Sequence, residues 1–204
     1  MKETLKSLVQ TRLPTKHGEF VLHYFNNPID DKEHIALVKG QVAGRENIPV
    51  RIHSECFTGD VLGSRRCDCG EQLDMAMQYI GEAGFGILIY LRQEGRGIGL
   101  LKKLQAYNLQ DQGMDTVDAN LHLGHLADER EYSVAGLILE NLQAKSILLM
   151  TNNPLKINEL KKLGIIVAGR IPVEAPAHTD NLSYLKTKAK KMAHMLFEGK
   201  KDKD

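Results

Sequence analysis

Cys56, Cys67 and Cys69 are the three cysteines of a 204-residue chain, and all fall within one stretch, CFTGDVLGSRRCDCG. Soft thiolates gathered this closely favour zinc over harder cations. Inert buried thiols would call for apolar neighbours, whereas Cys67 and Cys69 stand beside Arg65, Arg66 and Asp68. A thioredoxin-like redox pair needs C-x-x-C, and the pattern here is C-x10-C-x-C. Three thiolates leave one corner of a zinc tetrahedron. His53 or His17 could fill it in a structural site, and water would fill it in a catalytic one; the spacing leaves both open. An odd cysteine count, with no apolar leader in MKETLKSLVQ, predicts a reducing, cytoplasmic setting.

Three further stretches carry more polar chemistry than a connection needs. In RQEGRGIGLL, residues 92–101, Gly95, Gly97 and Gly99 let backbone N–H groups approach an anion at a helix start. Arg92 and Arg96 add guanidinium groups that can each hold two phosphate oxygens. The stretch is neither G-x-x-x-x-G-K-[ST] nor G-x-G-x-x-G, so a plain tight turn is the alternative. HLGHLADEREY, residues 122–132, offers His122, His125, Asp128 and Arg130, or else a solvated charge cluster at a helix start. In TNNPLK, Thr151 and Lys156 could hold a polar ligand at the end of a strand, while simple capping accounts equally well for Thr151, Asn152 and Asn153.

The elements that must position these groups divide near residue 70. Before it, EFVLHYF, EHIALVKGQV and IPVRIH read as an antiparallel set of strands. After it, helices and strands alternate: a helix over 71–83 ending at Gly84, a buried strand in GFGILIYL and a helix over about 98–109. A helix capped by Ser133 follows, then the strand SILLMT, a helix with Asn153 at its N-cap and Pro154 in its first turn, and the strand IIVAGRIPV. The expected class is α/β: a mixed β-sheet covered by helices, with a β-rich N-terminal half followed by alternating helices and strands.

Composition narrows the partners. The charge is +1 from 27 basic and 26 acidic residues, and there is no Trp, which argues against nucleic acid as a partner. The longest apolar run, GILIYL, is too short to span a membrane. The basic end, KTKAKKMAHMLFEGKKDKD, reads as a solvated helical tail. A structural-zinc protein that binds nucleotide or RNA without turnover is a rival reading. A zinc nucleobase deaminase would need H-x-E and P-C-x-x-C, which are missing.

In this order, RIHSECFTGDVLGSRRCDCG, RQEGRGIGL, LQDQGMDTVDAN, LGHLADEREY and TNNPLK closely resemble GTP cyclohydrolase II of riboflavin biosynthesis. The likeness runs from LPTKHGEF at residue 13 to the histidine at residue 194. It implies one domain over residues 1–204, with a basic tail from about 188, in the monofunctional form without the dihydroxybutanone phosphate synthase fused to some relatives. It implies a homodimer, with GTP as substrate and neither nucleic acid nor membrane as partner. It also implies one catalytic Zn2+ on Cys56, Cys67 and Cys69, with water as fourth ligand, and Mg2+ with the GTP phosphates. GTP contacts carry over onto Arg51, Ile52, His53, Ser54, Glu55, Gln72, Glu94, Gly95, Arg96, Thr116, Thr151 and Lys156. Tyr107 matches an essential tyrosine, Asp128 a proton acceptor and Arg130 a nucleophile. A protonated guanidinium is a poor nucleophile, so the residue chemistry instead favours Arg130 as an electrostatic clamp oriented by Asp128.

Overall fold

The computed structural model describes residues 5–196. Seven strands form one sheet: β1 (Lys6–Thr15), β2 (Gly18–Asn26), β3 (Ile35–Lys39), β4 (Ile48–Ser54), β5 (Gly86–Leu91), β6 (Ile147–Met150) and β7 (Val167–Ile171), in the order β1-β2-β3-β5-β4-β6-β7. The helices are α1 (Phe57–Asp60), α2 (Cys69–Ala83), α3 (Gly99–Asp111), α4 (Thr116–His122), α5 (Ser133–Asn141), α6 (Pro154–Lys162) and α7 (Leu182–Lys191).

The expected mixed sheet is present, with one correction. β1, β2, β3 and β5 pair antiparallel, but β4, read from sequence as antiparallel, runs parallel to both β5 and β6. Its first six residues are all buried, as suits a parallel strand covered on both faces. Strand parity then sorts its side chains. Ile48, Val50 and Ile52 join Ile87, Ile89 and Leu91 beneath α5, whose Val134, Ile138 and Leu139 complete that core. Leu37, Leu88 and Met150 point the other way, towards Ala76, Met77 and Ile80 of α2. Full burial of an Ile such as Ile52 stabilises the fold by about 1.5–3 kcal/mol. Arg51 and His53, which alternate with Ile52, are carried on the α2 side.

Three elements escape the sequence reading, the four-residue α1 among them. β1 is an edge strand whose residues are mostly exposed, so its hydrophobic alternation is weak. α4 is short, and Asp115 caps it by accepting from the N–H groups of Val117 and Asp118. The helix expected over 98–109 runs from Gly99 to Asp111. Ser133 does not cap α5: Tyr132 holds the N-cap position, and the Ser133 hydroxyl donates to Glu131 at 2.5 Å. Asn153 does cap α6, accepting from Leu155 N–H at 3.0 Å, with Pro154 in its first turn. The tail is not simply solvated, for Lys188 and Met192 are buried; residues 197–204 of that expected tail lie outside the described residues. No helix among the described residues is long and apolar enough to cross a membrane.

Candidate metal and nucleotide site

The parallel strands β5, β4, β6 and β7 end along one edge of the sheet, and the segments that follow them build a single cleft. Open helix-covered sheets bind ligands at this edge. The cleft, about 1080 Å³ with the open solvent at its mouth included, is lined by all three cysteines, by Tyr107 and by Arg51, Arg96, Arg130 and Lys156.

Cys56 follows β4 as the N-cap of α1, and Cys69 opens α2. The three sulfurs lie within 4.8 Å of one another, and Cys56 Sγ is 3.6 Å from Cys67 Sγ. Zinc–sulfur bonds of about 2.3 Å in a tetrahedron set the sulfurs about 3.8 Å apart, so the donor set fits zinc. Gly59 keeps the space open: a Cβ there would stand 2.9 Å from Cys67 Sγ and 3.1 Å from Cys56 Sγ. Among the described residues no histidine or carboxylate joins this group. His17, considered from sequence as a fourth ligand, pairs instead with Asp74 at 2.8 Å. His53, the other candidate, turns Nε2 to both oxygens of Asp60 at 3.0 Å. Asp60 also accepts from Tyr90 Oη at 2.8 Å and from Cys56 N–H at 3.0 Å, which fixes the first thiol's backbone.

Hydrogen bonding with Cys67 and Cys69, and then the Lys103 charge, hold the Cys56 thiol far below its ordinary range. The same bond pushes Cys67 up to about 11, and Cys69 is raised chiefly by its bond to Cys56. Tyr107 Oη is 3.2 Å from Thr58 Oγ1, with the Arg66 guanidinium 5.0 Å from its ring centre. Burial raises the Tyr107 phenol despite Thr58 and Lys103, so it is protonated at neutral pH.

The cationic half is set by close backbone packing. Gly95 and Arg96 both take left-handed φ, 63° and 64°, a conformation that costs a non-glycine residue roughly 1–2 kcal/mol. A Cβ on Gly97 would meet Glu129 O at 2.9 Å, so the glycine loop and the 122–132 loop touch. Glu129 N–H donates to Arg96 O at 3.0 Å, and Arg96 Nη1 donates to Ala127 O at 3.2 Å. Arg130 Nε donates to Asp128 Oδ1 at 2.7 Å, and its Nη2 to Asp128 Oδ2. Burial alone would raise the Asp128 carboxyl, but Arg130 outweighs it and holds it below its usual value. Lys156 donates to Ile52 O at 2.8 Å. Burial, reinforced by Arg51 and Arg130, holds this amine well below its ordinary value. Arg51 donates to Met150 O at 3.0 Å and to Gln72 Oε1 at 2.6 Å.

Arg51 Nε, His53 Nδ1, Arg96 Nη2 and His194 Nε2 are buried without a partner, and all four residues line the cleft. Buried polar nitrogens rarely go unpaired, so the two guanidinium nitrogens point to a ligand with acceptors, whereas His53 Nδ1, with Nε2–H given to Asp60, is left to accept.

The cleft gathers most of the residues expected from sequence, including Ser54, Glu55, Gln72, Glu94, Gly95, Thr116 and Thr151. It does not gather Ile52, whose side chain lies in the α5 core and which offers only its carbonyl. Asp128 stands behind Arg130 and is absent from the lining. Arg92, expected to favour phosphate, donates to Glu55 at 3.0 Å and lies outside the lining. His122 is exposed, and His125 pairs with Glu129 at 3.2 Å.

Sequence reasoning missed Asp60, Asp68, Lys103, Tyr184, Lys188 and His194. Three of these had a signal: Lys103 precedes Tyr107 by one helical turn, and Tyr184 precedes Lys188 by the same spacing, which sets each pair on one face.

A family model described as GTP cyclohydrolase II matches residues 6–172. The riboflavin biosynthesis protein RibBA of Chlamydia trachomatis is 55% identical over 186 residues, covering 91% of this chain and 44% of that protein. The probable monofunctional riboflavin biosynthesis protein RIBA 3, chloroplastic, of Oryza sativa is 52% identical over 196 residues, covering 95% of this chain and 37% of that one. The chain thus spans less than half the length of these relatives. Among solved structures, the two-domain 3,4-dihydroxy-2-butanone 4-phosphate synthase RibBX of A. baumannii aligns at a TM-score of 0.47 with 21% identity, over 86% of this chain and 41% of that one.

Proposed function

Because the chain belongs to the GTP cyclohydrolase II family, we propose that it hydrolyses GTP at two places. It opens the imidazole ring at C8 to release formate, and it cleaves diphosphate. The product is 2,5-diamino-6-hydroxy-4-(5-phosphoribosylamino)pyrimidine, and the reaction is the first step of riboflavin biosynthesis. The observation that carries this reading is the sharing of one cleft by a three-thiol group and by buried cationic side chains with unpaired nitrogens.

Zinc held by Cys56, Cys67 and Cys69 would supply Lewis-acid activation of water. The chain's own residues do the rest. The neutral phenol of Tyr107, beside the thiols, can give a proton to the imidazole nitrogen as the ring opens. Gln72 and Glu55 offer acceptors and donors to the base, with Arg51 keeping the Gln72 amide in place. Arg96, Arg130 and Lys156 line the cleft and suit the phosphates, where Mg2+ would supply further neutralisation of charge on the departing diphosphate. Asp128 holds two nitrogens of Arg130 in a fixed plane, a geometry suited to an electrostatic clamp. The working unit in this reading is a homodimer, with neither nucleic acid nor membrane as partner.

Anaerobic incubation of zinc-loaded protein with GTP and Mg2+, following formate and diphosphate together, tests the reading. Equal release of both, lost in Cys56→Ser, is expected. Tight GTP binding with neither product would instead favour a binding module.

A further inference from the structure

The segment from Val173 to Leu196 leaves the sheet after β7 and returns to the cleft, beyond the residues that the family model matches. Asn152 fastens both of its ends. The Asn152 amide donates to Val173 O at 2.6 Å and accepts from Val173 N–H at 3.1 Å, while its backbone carbonyl accepts from Met195 N–H at 2.8 Å. Midway, the fully buried Asn181 accepts from His178 N–H at 2.7 Å, and His178 Nε2 meets Glu71 at 2.8 Å. α7 and the turn after it then place Tyr184, Lys188, Met192 and His194 in the cleft wall.

Lys188 begins a buried polar chain. Its Nζ donates to Asp68 Oδ1 at 2.6 Å, Gln72 Nε2 donates to Asp68 Oδ2 at 2.5 Å, and Arg51 Nη2 donates to Gln72 Oε1 at 2.6 Å. Asp68 is only 1% exposed, so a carboxylate there needs this cation. Without Lys188, the nearest compensation for Asp68 is Arg51, and Gln72 lies between them. His194 Nε2 is buried and unpaired, and Lys188, Arg130, Arg96 and Lys156 all act on the ring electrostatically. An Nε2–H in a cleft that also holds Lys188, Arg96 and Arg130 is matched by an anionic oxygen.

We infer that the arm of residues 173–196 is a working wall of the nucleotide site: Lys188 is a positioning residue that sets Gln72 and Arg51 through Asp68, and His194 donates from Nε2 to a phosphate oxygen of the nucleoside triphosphate. This rests on the GTP reading given above, and binding separates it from turnover.

The test uses the full zinc-loaded chain. Calorimetry gives the Kd for α,β-methylene GTP, steady-state assays give KM and kcat for GTP, and thermal melting controls for folding. A lost hydrogen bond to a charged group is worth roughly tenfold or more in affinity. His194→Ala is expected to raise the analogue Kd by about that factor with melting unchanged. Lys188→Met is expected to raise KM by more than it lowers kcat, and Lys188→Arg to recover most of the loss. Should Lys188→Met not fold, His194→Ala and Lys188→Gln decide. Folded His194→Ala and charge-removing Lys188 variants whose Kd and KM stay within about twofold of wild type would overturn the inference, as would a wild-type chain that does not bind the analogue. A wild type that binds the analogue but releases neither product from GTP would sink the activity alone, and the variants' Kd values would still decide the arm.

Discussion

The Lys103 ammonium lies 3.1 Å from Cys56 Sγ, with its other side held at 2.8 Å by Glu94 Oε1. An N–H bond to a ligating sulfur belongs to the outer shell that orients a metal site, and its loss costs roughly 10–100-fold in metal affinity. Lys103→Met is therefore expected to lose zinc about tenfold more readily in a chelator competition, with Lys103→Arg nearer to wild type.

Zinc uptake should release protons. Cys67 and Cys69, both raised, carry protons at neutral pH in the metal-free chain. Metal binding must displace them, so apparent affinity rises with pH, by up to about tenfold per unit for each proton released. Chelator competition between pH 6.5 and 8 measures the slope, and a flat profile would show that the thiols are already ionised.

Gly59→Ala should strike the thiol cluster while sparing the sheet. The added methyl would lie 2.9 Å from Cys67 Sγ and 3.1 Å from Cys69 Cβ, closer than ordinary contacts allow. The variant is expected to keep its far-ultraviolet spectrum but bind zinc substoichiometrically, and to release no formate.

Asp128 links the site to acid stability. Its carboxyl, pushed up by burial, is brought by Arg130 to a net value below the ordinary 3.8. A depressed carboxyl contributes stability that is complete above 3.8 and is lost as pH falls through the lower folded value. In urea titrations the wild type should thus lose more stability than Asp128→Asn on going from pH 5 to below the folded value. The carboxylate is also ionised throughout the neutral range, so Asp128 should contribute no break to the pH–rate profile near pH 6.

Arg130→Lys separates clamp from nucleophile. Lysine keeps the charge but not the two-pronged bond to Asp128, so turnover should fall and not vanish. A phosphoramidate adduct on Arg130, caught by quench and mass spectrometry, would refute the clamp.

The three thiols were legible because their residue type and spacing carry the chemistry directly, and the turn at Gly95, Gly97 and Gly99 because left-handed backbone and close approach to Glu129 need glycine. The orientation of β4 was not: Arg51 and His53 alternate with apolar residues, the pattern of a half-exposed antiparallel strand, although both faces are buried. Asp60 and Asp68 stayed hidden because their work is tertiary. Asp60 joins His53, Tyr90 and the Cys56 backbone, partners that only pairing of β4 with β5 brings together. Ile52 shows the converse: the family resemblance carries a substrate contact onto it, while strand parity sends its side chain into the core and leaves only its backbone for such a contact.

Asn152 has a consequence for the order in which the chain assembles. Both ends of the arm fasten to one residue just past β6, so the arm has nowhere to attach until β6 and β7 are paired. In return the arm gives the two cores that hold the sheet a single residue, Val173, among the described residues. The arm should therefore be the last cooperative unit to form and the first to open, and its amides should exchange hydrogen ahead of those of β4 and β5, with bound nucleotide slowing them selectively.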